Sequence, residues 1–468
     1  MTAPEQPRPR RRAAARPGIR PAPSAVAAVV LLVLAVAATV AAGIPSPAPG
    51  TSASGHGQLV GDLVTACPQG SARARILTGS IPAPSLGDPG RLVVRTLSAA
   101  TTQMPIRRGA LTSLPAKGAT ALEATGPAAA GRFGVMIDEA HGGLTALPCM
   151  QPRSTWWFTG AGATLDHTSR LVIANVDPGP AVVDVRVLGE HGPLDTVGTR
   201  GITVAPGSTH TLSLTDIAPQ GENLAIEVRA SRGRVAAAVS DSFAAGPGAA
   251  AGTDWLPDQR LPSRVVRVAP TLGRVRRPTL LVANPSSLTA LVDVRVEGRN
   301  GVFTPTENAQ IQIAPNSTRS VDISASLGHG AAGVLLHSGV PVLAAVRSVA
   351  SGDSVYAGAV RPLETPGAAA WASATHPQLL LTAGALPATA SVAAFDRGGE
   401  QVAATELRLT AGSTNSWKPP ARADYLTVTP SQGAVHGAVV LDGPGVAELP
   451  LQGVPIRLLR PAVHPGTG

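Results

Sequence analysis

The chain repeats itself at a fixed offset, and this constrains its fold more than any other feature. Leu171–Asn175 (LVIAN) returns as Leu280–Asn284 (LLVAN), and Val183–Val187 (VDVRV) returns unchanged as Val292–Val296. Ile202–Pro206 (ITVAP), followed by Ser208 and Thr209, returns as Ile311–Pro315 (IQIAP), followed by Ser317 and Thr318. All three blocks keep the same offset of 109 residues. A weaker third copy starts at Leu379, with Val392, Gly398, Gly399 and Leu407–Thr414 in the corresponding places. Solenoid repeats run about 20–50 residues, so this period is too long for one. It matches the roughly 100 residues of a single β-sandwich.

The local pattern agrees. In Val183–Val187 the valines alternate with Asp184 and Arg186, which wets one face of a strand and buries the other. Turn signals such as Pro178-Gly179, Pro206-Gly207 and Arg299-Asn300-Gly301 separate the short apolar runs. No window carries a sustained helical stripe with caps at both ends. The expected fold is all-β: tandem immunoglobulin-like sandwiches after an N-terminal transmembrane helix.

The formal charge of +9 invites a nucleic-acid reading, but its distribution does not support one. Residues 1–24 hold six arginines against the single Glu5, and no dense basic run follows. Nucleic-acid surfaces need a basic stripe beside stacking or groove-fitting groups. The tail instead precedes Ala25–Ile44, an uncharged apolar run of 20 residues. As a helix this run spans about 30 Å, the thickness of a bilayer's hydrocarbon core. Arginines before it and none just after predict a cytoplasmic N-terminus and an extracytoplasmic remainder. A long signal peptide cut near Ala41 or Ala42 is the alternative, leaving a secreted protein.

Export makes Cys67 and Cys149 legible as a disulfide, since they are the only two cysteines in an oxidising compartment. The expected organisation is a basic tail (1–24), an anchor or signal sequence (25–44) and a flexible linker (45–60). A disulfide-bearing β domain (61–151), two sandwich repeats (152–262 and 263–365) and a diverged third (366–463) follow.

Catalytic signals are weak. Gly352-Asp353-Ser354 looks like an esterase nucleophile block, but Asp241-Ser242 occupies the same place in the earlier repeat, which reads as turn architecture. Asp138, Glu139 and His141 form the nearest thing to a metal cluster and read as a polar turn. Asp184, Arg186, Asp293 and Arg295 read as solvated cross-strand neighbours. No cofactor is nominated. Trp156, Trp157 and Phe158 hold a quarter of the 12 aromatic residues. Adjacent strand residues point to opposite faces, so one tryptophan is expected in a sandwich core and the other against the disulfide-bearing domain. The functional alternative is an exposed ring at Trp156 or Trp157 that stacks on a sugar or a partner protein. Trp255 is expected to be an interdomain wedge in the connector between repeats.

Cys67-Pro68, Cys149, Ser154–Gly162, the Leu171–Asn175 and Val183–Val187 blocks, Asp254-Trp255 and Asn284-Pro285 together resemble an actinobacterial family. Its members are membrane-anchored or secreted proteins known only as a domain of unknown function. The resemblance covers roughly residues 60–360. Val176 stands where such proteins often carry proline, and Ala161 interrupts the Gly-rich turn. The family implies an envelope location and supplies no catalytic residues. The expected function is therefore a non-catalytic, membrane-anchored envelope protein, its sandwiches serving as spacer and interaction module for an exported protein or a cell-wall glycan. The alternative is a glycan-active hydrolase whose two carboxylates would face each other across a cleft.

Overall fold

The computed structural model describes residues 58–458, apart from 98, 140–142, 245, 247–248, 250, 273–274, 328–329 and 351. The proposed anchor at 25–44 and the basic tail lie outside the described residues. Among those described, no helix is long and apolar enough to cross a membrane.

The described chain is four β-sandwiches, and each has the same pairing pattern. In the first, one sheet runs Asp62–Cys67, Thr120–Thr125, Arg91–Thr96, Thr101–Pro105. The facing sheet runs Leu111–Pro115, Arg75–Ser80, Arg132–Asp138, Thr145–Pro148. The disulfide-bearing segment is thus itself a copy of the repeat. In the third sandwich the two central strands fuse into one 19-residue strand, Ala332–Ala350, which serves both sheets.

The strand alternation follows the sequence. Val183, Val185 and Val187 are buried and pair with Ala230, Val228 and Ile226, whereas Asp184 is exposed. The repeated asparagine now has a role. Asn175 and Asn284 are fully buried, and each Nδ2 donates to carbonyls of two segments: Gly179 and Val204 for Asn175, Leu288 and Ala314 for Asn284. Each Oδ1 accepts the backbone N–H two residues on. A buried amide satisfied this way fixes the turn that follows the strand.

A spacer would be extended, but the sandwiches close into a ring. Ala66, Leu147 and Met150 of the first share an apolar cluster with Trp156 and Phe158 of the second. Leu281 and Tyr356 of the third join that same cluster. Leu272 and Val355 of the third pack with Leu380, Val440 and Val446 of the fourth. The fourth then merges with the first, where Phe133 packs against Tyr425 with ring centroids 5.6 Å apart. Short strands at the two ends, Gln58–Leu59 and Arg457–Leu458, pair antiparallel, and Val60 donates to the Ile456 carbonyl at 3.0 Å. Gln58–Val60, expected in the flexible linker, belongs to this closure.

Cys67 and Cys149 are bonded, linking the first sandwich's opening strand to the residue after its last strand, 82 positions on. The Cys67→Ser plus Cys149→Ser variant should lose about 2–5 kcal/mol of stability in urea unfolding. A loss below ~0.5 kcal/mol would mean that the ring contacts already confine this segment.

Candidate functional site

The last strand of each sandwich lies innermost: Thr145–Pro148, Ala251–Trp255, Asp353–Gly358 and Val446–Pro450. At one end of the resulting axis the four copies place Gly143, Gly252, Asp353 and Gly445 together. The Asp353 carboxylate accepts the N–H of Leu144 at 2.9 Å, Ser354 at 3.0 Å, and Thr253 and Val446 at 3.3 Å each. Each donor comes from a different sandwich. Glycine at the equivalent positions makes this possible. A Cβ on Gly252 would sit 2.1 Å from the Ser354 nitrogen, and one on Gly445 would sit 2.5 Å from the Leu144 nitrogen.

Two further carboxylates lie on the same strands. Asp254 accepts the N–H of Trp255 and of Tyr356, at 2.8 and 3.0 Å, while the buried Glu448 Oε1 has no hydrogen-bond partner among the described residues. Burial pushes Asp353 above the usual carboxylate range and Asp254 and Glu448 well above it. Such groups contribute most stability below their unfolded pKa values and lose it as pH rises through the folded ones.

The structure separates the residues singled out by sequence. Both tryptophans are buried, Trp156 at 1% and Trp157 at 3% exposure, which corrects the exposed-ring reading because neither has a face to stack on a ligand. Trp156 fills the second sandwich, stacks with Phe158 and donates Nε1–H to the Val235 carbonyl at 2.8 Å. Trp157 points the other way, as the strand period requires. However, it packs on Ala283 and Leu343 of the third sandwich and not on the disulfide-bearing domain. Trp255 wedges between the first and second sandwiches, within the strand Ala251–Trp255 and not in a connector.

The two Asp-Ser pairs are not equivalent. Asp241 lies in the strand Ala236–Ala244, while Asp353 opens the innermost strand and matches Gly252. Of the polar turn, His141 lies outside the described residues, and Asp138 accepts the Ser71 N–H at 2.7 Å. Arg186 pairs with Glu227 at 2.9 Å, and Asp184 accepts the Gly201 N–H at 2.8 Å.

A buried Ser/His/Asp grouping does form between the second and third sandwiches. Asp241 sits at its centre and takes His167 Nε2 at 3.0 Å, the Tyr356 hydroxyl at 2.6 Å and the Ser169 hydroxyl. A hydrolytic triad needs the histidine between serine and carboxylate so that it can remove the hydroxyl proton. Here the carboxylate is in the middle, and Ser169 Oγ also accepts the Gly162 N–H at 2.8 Å. The grouping ties two sandwiches together.

The other end of the axis opens into a cavity of about 520 Å³. The segments leaving all four innermost strands line it: Pro148–Arg153, Pro257–Leu261, Ala359–Thr365 and Leu449–Pro455. Five arginines line it (Arg132, Arg153, Arg260, Arg267 and Arg361) against the carboxylates Asp258 and Glu364. Arg153 pairs with Asp258 and lies over the Trp156 ring at 3.5 Å. Arg267 is held by both Glu297 oxygens, at 2.7 and 2.9 Å, and donates to His436 Nε2 at 2.9 Å. Sequence reasoning missed this site because its residues come from four separate connectors and from the strands Arg132–Asp138 and Ser263–Thr271, each unremarkable alone.

These features define a class: an all-β protein of four sandwiches closed around an axis, with a cationic cavity at one end. The chain belongs to the family of unknown function DUF5719, whose model matches residues 110–420. That agrees with the resemblance read from the tryptophan and valine motifs. No curated protein matches it in sequence. Among solved structures, the BSP domain of a biofilm-associated protein is similar at 7% identity, over 84% of this chain and 96% of that one. With a TM-score of 0.14, that likeness carries no argument about fold or function.

Two outcomes test this description. Trp157→Ala should cost about 3–5 kcal/mol of stability, as large core truncations do; an unchanged melting curve would mean that the ring is exposed after all. Burial and Arg267 hold His436 down at about 4. Its contribution to stability is therefore present above the unfolded value near 6.5 and lost as pH falls toward 4. Between those limits the stability of the protein relative to His436→Gln should fall by up to about 3 kcal/mol. A pH-independent difference would contradict the buried neutral imidazole.

Proposed function

We propose that this chain is a non-catalytic envelope protein, held by residues 25–44 in the membrane with its N-terminus inside. The ring then acts outside as a binding body for an exported protein or a cell-wall component. The observation that carries this reading is the axial cavity, which all four repeats build jointly and which presents guanidinium groups instead of a reacting constellation. Carboxylates needed by the hydrolase alternative are present on the axis, but Asp353 is filled by four N–H donors and Asp254 by two. The cavity carboxylate Asp258 is taken by Arg153. The apolar run 25–44, the arginines before it and the Cys67–Cys149 bond support the location.

Lys117 and Lys418 are the only lysines in the chain, and both are exposed. A membrane-impermeant amine reagent applied to intact cells should modify both. Labelling only after lysis would place the ring inside and overturn the reading. Crosslinking in intact cells should then capture the partner.

A further inference from the structure

We infer that the axial cavity is a binding site for an acidic peptide segment of a partner protein, with Arg260 and Arg361 as its anion-recognising groups. This rests on the reading of the ring as a binding body and names what it takes.

The cavity's charges are incompletely balanced. Arg153 and Arg267 are neutralised by Asp258 and Glu297. Arg260 and Arg361 are exposed at the mouth, lie close enough to Arg153 to lower its proton affinity, and make no ion pair among the described residues. Glu364 is the remaining acid of the lining and is exposed. Deeper in the wall lies Arg132, only 4% exposed. Its Nε donates to the Ala128 carbonyl at 2.9 Å, but its buried Nη2 has no hydrogen-bond partner among the described residues. Burial and the neighbouring Arg108 lower its pKa to about 10. A buried guanidinium N–H without an acceptor is costly, but Nη2 is closed to solvent, so Arg132 adds positive charge to the wall and not a contact for the ligand.

The remaining lining decides the class of anion. Leu63, Leu261, Val265 and Val454 provide aliphatic wall, and prolines from all four connectors limit the free N–H donors. Sugar-binding sites present an exposed aromatic face, but the two aromatic residues here, Phe133 and Trp156, are 9% and 1% exposed. Aliphatic wall with forked guanidinium donors fits carboxylate side chains on a short polypeptide. A cavity of about 520 Å³ is within the range that encloses small ligands, so it would take a few residues and not a folded surface.

The test uses the purified full-length chain in nanodiscs and a fluorescein-labelled hexaglutamate peptide, read by anisotropy. A hexalysine peptide, a hexameric oligogalacturonate and inorganic phosphate serve as comparison ligands. Hexaglutamate should bind, hexalysine should not, and added salt should weaken binding. The Arg260→Glu plus Arg361→Glu variant should bind at least about tenfold more weakly. Its melting temperature should not change, because neither side chain supports the fold. Three results would overturn the proposal: no binding of hexaglutamate, equal binding by the variant, or tighter binding of oligogalacturonate or phosphate than of the peptide. Because this titration does not depend on where the chain resides, its failure is distinguishable from a failure of the envelope assignment.

Discussion

Four sandwiches meet at one carboxylate. The oxygens of Asp353 accept backbone N–H groups from every sandwich, its own included, at or just before the innermost strand. Each of those N–H groups would otherwise face a buried axis without a partner, at a cost of about 1–3 kcal/mol apiece. The same fourfold environment explains why only one copy carries the aspartate. A second side chain at Gly252 or Gly445 would collide with the backbone that Asp353 draws in. The repeat is therefore broken at the axis because a pseudo-fourfold axis has room for one group.

From this constraint the rest of the ring follows. Once the innermost strands converge, the sandwiches can no longer bury their faces separately. The apolar clusters accordingly cross domain boundaries, as where Trp157 packs on Ala283 and Leu343 or Phe133 on Tyr425. Polar groups are shared in the same way. Asp241 binds Tyr356 across one boundary, and Arg267 binds His436 across another. Stability should then be cooperative around the ring instead of additive over four independent domains. The convergence at one end also creates the opening at the other. The connectors that leave the axis past Pro148, Trp255, Gly358 and Pro450 diverge and bring their arginines to a common cavity.

Much of the fold was legible because strand burial is periodic and the repeat keeps its register. The valine alternation, the sandwich-sized period and the pairing of Cys67 with Cys149 all reflect local or pairwise constraints that a sequence displays directly. The first sandwich escaped recognition as a copy because strand pairing fixes its topology without fixing side-chain identity. The site was not legible. Arg153, Arg260 and Arg361 belong to three connectors, and nothing in any one of them signals the other two. Trp156 and Trp157 drew attention because aromatic residues are scarce here, but large rings are also what a closely packed interface consumes. Asp353 stands out in the sequence only as part of a serine motif, whereas its importance lies in its backbone neighbours.

Amide hydrogen exchange at Leu144, Thr253 and Val446 tests the central claim most directly, because these donors belong to three different sandwiches and share one acceptor. The ring predicts slow exchange at all three in the native protein. It also predicts that all three accelerate together in Asp353→Ala, by a similar factor. Acceleration confined to one amide, or no change at any of them, would show that the sandwiches are not joined at this carboxylate.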